Sequence, residues 1–315
     1  MLIKMQVGEQ DRGELQVNVT DSDNAPIRDA RVTISEPETA INPNSPIERL
    51  ETDVSGQTQI VDLNTPPLEY SLNENNENMP YANYNIQIEV PGYETENIRN
   101  VEILPDSLSL QNVRMRKREG EQVENIDIDP HTLYAEYPEK IPEDEIKDVN
   151  EPGEIVLSRV VIPEYVVVHN GTPSSNARDY YVTYKDYIKN VASSEIYATW
   201  PRATIEANVL AIMSFTLNRV YTEWYRNKGY DFTITSSTAY DQKWIYGRNI
   251  FQSIDEVVDE IFDQYLSRPD VRQPILTQYC DGKRVTCPNW LSQWGSCNLG
   301  EQGFGTLEII RNYYG

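Results

Sequence analysis

Two hydrophobic rhythms divide the chain. Over residues 13–115, apolar positions alternate with polar ones in short runs. "GELQVNVTD" places Leu15, Val17 and Val19 on one side, and "ARVTISEP", "NYNIQIEV" and "LSLQNVRM" repeat the period of two. Turn signals separate the runs: "DSDNAPIRD", Ser55-Gly56 inside "ETDVSGQTQIVDL", and the proline-glycine step of "VPGYE". Short alternating strands between turns predict an all-β sandwich over residues 1–118.

Beyond residue 156 the rhythm changes. "VLSRVVIPEYVVVHN" (156–170) is an apolar β-type run that opens a second domain, 156–315, of α+β class. From Pro201 to Trp224, Ile205, Val209, Ile212, Met213, Leu217, Val220, Tyr221 and Trp224 recur at helical spacing, and Pro201 suits a first turn. "SIDEVVDEIFDQYL" predicts a second helix, with Ser253 and Glu256 as a capping box and Ile254, Val257, Val258, Ile261, Phe262, Tyr265 and Leu266 as its apolar face. "TLEIIRNYY" predicts a terminal helix.

Between the two lies 119–155, with 13 acidic residues against two lysines over 119–154, and prolines 130, 138, 142 and 152. So little apolar surface predicts an extended acidic linker, pinned locally by Tyr134 and Tyr137. The basic cluster "RMRKR" (114–118) just before it reads as a strand end held to the linker by charge, or else as an anionic-ligand site.

Charge narrows the partners. The 315 residues carry 27 Lys and Arg against 50 Asp and Glu, a net charge of −23. Phosphate neutralisation needs the opposite balance, so nucleic acid is excluded, as is polybasic membrane contact. The first residues, "MLIKMQVGEQDRGELQ", lack an apolar signal region, and no window predicts a transmembrane segment. The expectation is synthesis as a soluble cytoplasmic product, delivered by some other route if it acts outside. Cys280, Cys287 and Cys297 are spaced C-x6-C-x9-C, which fits no standard zinc pattern. One disulfide among them and reduced buried thiols are both open.

Two resemblances add to this. The succession "VTDSDNAPIRDARVTI", "ETDVSGQTQI" and "IQIEVPGYE" resembles the carboxypeptidase-regulatory-like or transthyretin-like sandwich modules, through Asp21, Pro26, Ile27, Ala30, Val32, Thr52, Asp53, Gly56, Pro91, Gly92 and Tyr93. Such a module implies a spacer or attachment unit with a protein partner. The second domain resembles the SpoIID/LytB family, the stage II sporulation protein D type of peptidoglycan lytic enzyme. Three blocks carry it in order: "YIKNVASSEIYATWPRATIEANVLAIMSFTLNR", "ITSSTAYDQKWIYGRNIFQSIDEVVDEI" and "LSQWGSCNLGEQGFGTLEIIRNYYG".

That resemblance implies cleavage of the β-1,4 bond after N-acetylmuramic acid in peptidoglycan glycan strands. It places Glu195, in "E-I-Y" where the family has "E-M-P", at the position of the catalytic glutamate. If 187–195 is helical, Ile188, Val191 or Ala192, and Glu195 share a face. A carboxyl among apolar neighbours has a raised pKa, which suits it to act as acid and then base. The plain alternative is a charge favouring the next helix. The same resemblance suggests Gln242, Tyr246, Ser292, Gln293, Trp294 and Asn208 as glycan-binding residues, each of which could equally be a turn or core residue. Asn208 stands where the family usually has Gln, Met213 where it usually has Arg, and Cys287 near the place of a His. "TSSTAYDQ" lacks the His and Cys through which some members bind zinc, so no metal or other cofactor is expected.

The leading expectation is therefore a single-glutamate lytic transglycosylase behind a sandwich adaptor. A non-catalytic glycan-binding or structural protein is the alternative. A wall-acting domain of this kind also suits a phage tail-like particle, release by lysis, or a sporulation role.

Overall fold

A computed structural model describes residues 11–38, 40, 44–118, 123–148 and 157–315. Among these the chain is mixed α and β, with several sheets and six α-helices. In chain order the first strands are β1 (Asp11–Thr20), β2 (Arg31–Ser35), β3 (Pro46–Glu51), β4 (Val61–Thr65), β5 (Ala82–Glu89), β6 (Thr95–Ile103), β7 (Leu108–Arg114) and β8 (Val123–Asp127). They are followed by β9 (Tyr165–His169), β10 (Asp179–Thr183), β11 (Ile234–Thr235), β12 (Ile250–Phe251), β13 (Tyr279–Cys280) and β14 (Leu291–Ser292). The helices are α1 (Glu69–Leu72), α2 (Tyr184–Glu195), α3 (Arg202–Tyr221), α4 (Gln252–Ile261), α5 (Gln293–Glu301) and α6 (Thr306–Tyr314). No helix among the described residues is long and apolar enough to cross a membrane.

The chain forms two compact units: Met1–Pro130 with Tyr197–Thr199 and Tyr246–Ser253, and His131–Ile196 with Trp200–Ile245 and Ile254–Gly315. The first unit holds a four-stranded sheet, β12-β7-β1-β4, and a five-stranded one, β3-β2-β5-β6-β8. The alternation seen in the sequence decides which side chains go inside. Leu15, Val17 and Val19 of β1 and Val32 and Ile34 of β2 are fully buried. The turn at Asp53–Gly56 has a local cause. The Asp53 carboxylate accepts from the N–H groups of Ser55 (2.8 Å) and Gln57 (3.1 Å). Gly56 sits at φ 74°, where a side chain would also strike the Val19 carbonyl. Asp21 turns its own loop the same way, accepting from Asp23 and Ala25 N–H at 2.9 Å.

The acidic linker expectation needs correction for 123–148; residues 119–122 and 149–155 lie outside the described part. Val123–Asp127 is strand β8, paired in parallel with β6. Residues 131–148 run through the second unit. Thr132 N–H donates to Ser194 O (3.0 Å), Ile141 N–H to Ala239 O (2.9 Å) and Lys147 N–H to Gln273 Oε1 (2.7 Å). Their carboxylates meet cations distant in sequence, Glu143 on Arg219 and Glu145 on Arg268. The expected domain boundaries shift accordingly, since Tyr197–Thr199 and Tyr246–Ser253 join the first unit, where β12 pairs with β7. Arg116 of the basic cluster pairs with Glu124 (3.1 Å), as its charge-tether reading expects.

The second unit is built on α3. Fifteen of its 20 residues are buried, so it has no solvent face to speak of. Its polar residues fold back on the helix: Ser214 and Thr216 hydroxyls donate to the carbonyls four residues earlier, at 2.7 and 2.9 Å. Pro201 is its N-cap. Helix α4 begins at Gln252, directly after β12, so Ser253 is inside the helix rather than its cap. Its hydroxyl donates instead to Ala198 O (3.2 Å). The helix ends at Ile261, short of Phe262, Tyr265 and Leu266. Of the described residues 157–170 in the apolar run, only Tyr165–His169 is strand, between β10 and β11. Cys280 and Cys287 form a disulfide, with 5.6 Å between their Cα atoms, and Cys297 is buried.

Candidate active site

Helix α2 starts where Thr183 caps it, accepting from Asp186 N–H (3.3 Å). It carries Ile188, Val191, Ala192 and Glu195, and none of the four is exposed. Glu195 is the last helical residue, and α3 begins seven positions later under its own cap. The helix-start reading of this carboxylate therefore falls away.

Glu195 Oε1 accepts from the Lys243 N–H at 2.7 Å. Oε2 makes no well-formed hydrogen bond, and neither do the hydroxyls of Tyr279 and Tyr137 beside it. Burial pushes the Glu195 carboxyl above the usual carboxylate range; the Lys140 ammonium, the Tyr279 hydroxyl and the Lys243 N–H pull the other way. Burial also raises Tyr137 and Tyr279 well above an ordinary phenol, helped by the Glu195 charge, and lowers Lys140. Lys140 Nζ donates to Asp241 O (2.9 Å) and lies 4.1 Å from the Tyr279 ring centroid.

Two other buried carboxylates neighbour this group, and both are fully engaged. Asp241 accepts from Arg219 Nε (2.7 Å), the Tyr225 hydroxyl (2.6 Å), and the Thr235 N–H (2.9 Å) and hydroxyl (2.6 Å). Asp281 accepts from the N–H groups of Lys283, Arg284 and Val285 and from Arg284 Nε. Arg219, itself buried, also binds Glu143 at 3.0 and 2.5 Å. Glu195 is thus less tightly held than these two neighbours, with the Lys243 N–H as its one well-formed partner.

The six residues expected to bind glycan have different fates. Gln293 is at the site: its Nε2 donates to the Glu195 carbonyl (3.1 Å), and its Oε1 is buried without a partner. Trp294 is buried and packs tilted on Trp200, with 5.1 Å between centroids. Ser292 is the N-cap of α5, accepting from Gly295 N–H (2.9 Å). Gln242 is saturated, accepting from the Tyr187 (3.0 Å) and Thr216 (2.8 Å) hydroxyls and donating to Ile212 O (3.0 Å). Asn208 ties α3 to α5, donating to Thr204 O (2.9 Å) and Ser296 Oγ (2.8 Å). Tyr246 belongs to the first unit, where its hydroxyl meets Arg116 (3.2 Å) and Glu124 (3.3 Å). Ser292, Gln242 and Asn208 thus hold local structure through these bonds, and Tyr246 belongs to the first unit.

Sequence reasoning missed Lys140 and Tyr279. Lys140 was hidden in an acidic stretch, where a lone lysine among apolar Tyr137, Pro138, Ile141 and Pro142 was the available signal. Tyr279, next to a cysteine on a two-residue strand, carried none.

A concavity of about 1100 Å³ lies on the first unit, lined by Arg31, Arg49, Glu51, Gln87, Glu89 and Arg99 among others, and contains none of these residues. No family model and no curated protein matches the chain. Among solved structures, it is similar to the catechol 1,2-dioxygenase of Acinetobacter radioresistens at 14% identity and TM-score 0.26, over 38% of this chain and 58% of that one. The minor pilin GBS52 of Streptococcus agalactiae gives 17% identity and TM-score 0.25, over 36% and 48%. The Bacillus anthracis TIE protein gives 13% identity and TM-score 0.22, over 34% and 17%.

Proposed function

We propose that this chain cleaves peptidoglycan glycan strands as a single-carboxylate lytic transglycosylase, with Glu195 as acid and base. The observation that carries the reading is a fully buried carboxyl that meets the Lys243 N–H and the Tyr279 hydroxyl, with the Lys140 ammonium near it. The three sequence blocks that resemble the SpoIID/LytB family give the substrate class.

In the reaction, the Glu195 carboxyl gives its proton to the glycosidic oxygen as the bond from muramoyl C1 to that oxygen breaks. The carboxylate then takes the proton of the muramoyl C6 hydroxyl, whose oxygen closes on C1. The products are a new 4-hydroxyl end and a 1,6-anhydro end; no water is consumed, and Glu195 regains its proton. Burial serves the first step by holding the proton at higher pH. Hydrolysis would need a second carboxylate about 5–10 Å away acting on water or on C1. The engagement of Asp241 and Asp281 speaks for the transglycosylase route. Glu195 is 0% exposed, so glycan reaches it only when residues covering it move aside. The first unit would then be the adaptor that docks to a protein partner.

That complete burial also favours the second reading, a non-catalytic glycan-binding or structural protein in which Glu195 is a core residue. Digestion of purified glycan strands, with and without stem peptides, by wild type and Glu195→Gln separates them when products are read by mass spectrometry. Anhydro-muramoyl ends from wild type that fall by about 10²–10⁴-fold in the variant are expected. Reducing ends would mean hydrolysis. No cleavage, with glycan binding kept by both proteins, would support the second reading.

A further inference from the structure

The first unit contains a carboxylate cluster that the glycan-cleaving reading does not use. Glu96 and Glu124 are register partners on the parallel strands β6 and β8. Glu94 precedes Glu96 by two positions and so shares its side of the strand. One carboxylate oxygen from each of the three lies within 4.8 Å of the others. Like charges directly opposite on paired strands repel, and burial in low dielectric sharpens that repulsion. Here Glu96 is only 2% exposed and Glu94 7%.

Glu124 has partners: it accepts from Arg116 (3.1 Å) and from the Tyr246 hydroxyl (3.3 Å). Glu94 anchors its backbone, its N–H donating to Arg116 O (2.9 Å). Glu96 is different. Neither of its oxygens, both buried, is reached by an N–H or hydroxyl donor among the described residues, although the Glu124 carboxyl is close enough to share a proton with it. One guanidinium faces three carboxylates, so the cluster carries two unbalanced negative charges when ionised. A buried charge in this position must take up a proton or a cation.

We propose that Glu94, Glu96 and Glu124 form a binding site for a hard divalent cation, calcium by preference. The donors are all oxygen, which disfavours zinc and copper. Three oxygens that all lie within 4.8 Å of one another can gather on one ion with small side-chain adjustment. Calcium is preferred because it tolerates irregular, flexible oxygen sites at about 2.3–2.6 Å, whereas Mg²⁺ demands a near-ideal octahedron at about 2.0–2.1 Å. The Glu124 side chain is 20% exposed, which leaves a route for the ion and room for water ligands. The bound ion would lock β8 onto β6. This site stands whether or not Glu195 is catalytic.

The competing occupant is a proton. Burial first, and then the Glu124 charge and a hydrogen bond to the Glu124 carboxyl, push Glu96 up to about 7, with Arg116 opposing and Glu94 adding to the effect. The test therefore uses the full chain, stripped of metal by chelator, above that value near pH 8. Calorimetric titration with CaCl₂ should give one site per chain with a dissociation constant on the order of 10⁻⁴ M, tighter than MgCl₂ by about ten-fold. At roughly 100-fold excess over that constant, CaCl₂ should raise the melting temperature by about 5 °C over matched NaCl. Glu96→Gln and Glu124→Gln should each abolish both responses, while the exposed-strand control Glu89→Gln should keep them. Two substitutions are used so that a folding defect in one leaves the other to decide. No calcium response in wild type overturns the site and leaves the proton as occupant. A response that survives both substitutions overturns it by placing the ion elsewhere on this acidic protein. Equal affinity for Mg²⁺ overturns the choice of calcium.

Discussion

Glu195 in the second unit and Glu96 in the first are both buried carboxylates, and the chain surrounds them in opposite ways. Around Glu195 it gathers donors: the Lys243 N–H at 2.7 Å, the Lys140 ammonium and the Tyr279 hydroxyl. Around Glu96 it gathers more carboxylate, with a single guanidinium that is already bound to Glu124. Burial raises both groups. In the second unit the polar shell offsets part of that cost. In the first unit only Arg116 among the described residues, already bound to Glu124, opposes it, and the neighbouring carboxylates add to the cost. Burial alone thus says little about a carboxylate's role; the sign of its neighbours says more.

The largest effect should come from stripping the second unit of its central cation. Arg219→Ala leaves Asp241 buried without its ion pair and frees Glu143, and should cost about 3–5 kcal/mol of stability in urea unfolding. A loss under about 1 kcal/mol would mean that the network is not what holds this unit together.

Glu96→Gln should act in the opposite direction. The unfolded side chain releases its proton near the model-peptide value of about 4.5, whereas the folded one holds it up to about 7. Below both values the group contributes no pH dependence. Between them the unfolded state alone loses its proton, so wild-type stability falls as pH rises, and the whole penalty is present above about 7. In chelator, the glutamine variant should therefore be more stable than wild type near pH 8, by about 1–3 kcal/mol, with the gain vanishing toward acid. Thermal melts across pH would read this, and a gain independent of pH would contradict it.

Lys140→Met sharpens the contrast by making the Glu195 site more like the Glu96 site. Without that ammonium the Glu195 carboxyl should hold its proton to still higher pH, so the alkaline limb of kcat/KM on glycan should move to higher pH. An unmoved limb would detach Lys140 from the chemistry. The smallest effect belongs to the exposed ion pair Arg99–Asp127, whose side chains are 42% and 62% exposed. Arg99→Ala should change stability by no more than about 0.5 kcal/mol.

What the sequence determined by itself was what depends on near neighbours. Alternation along β1 and β2 placed Leu15, Val17, Val32 and Ile34 inside, because successive side chains on a strand point to opposite faces. Helical spacing located α3 and α6, and put Glu195 on the same face of α2 as Ile188, because a helix repeats every 3.6 residues whatever it packs on. Gly56 and Asp53 announced their turn for reasons contained in four residues.

Tertiary structure decided everything that depends on a partner far along the chain. The acidic segment looked like a linker because its own apolar content is low. It is ordered where Glu143 finds Arg219, Glu145 finds Arg268, and main-chain groups find Gln273, Gln278 and Ala239. Gln242 and Tyr246, four residues apart, were expected to share a task. One is saturated inside the second unit and the other bonds Arg116 in the first, because strand β12 draws the chain onto β7 between them and α4. Which cysteines pair and which carboxylates are engaged are likewise set by through-space neighbours. Electrostatic and hydrogen-bond energies depend on distance in space, and the distance along the chain carries almost none of that information.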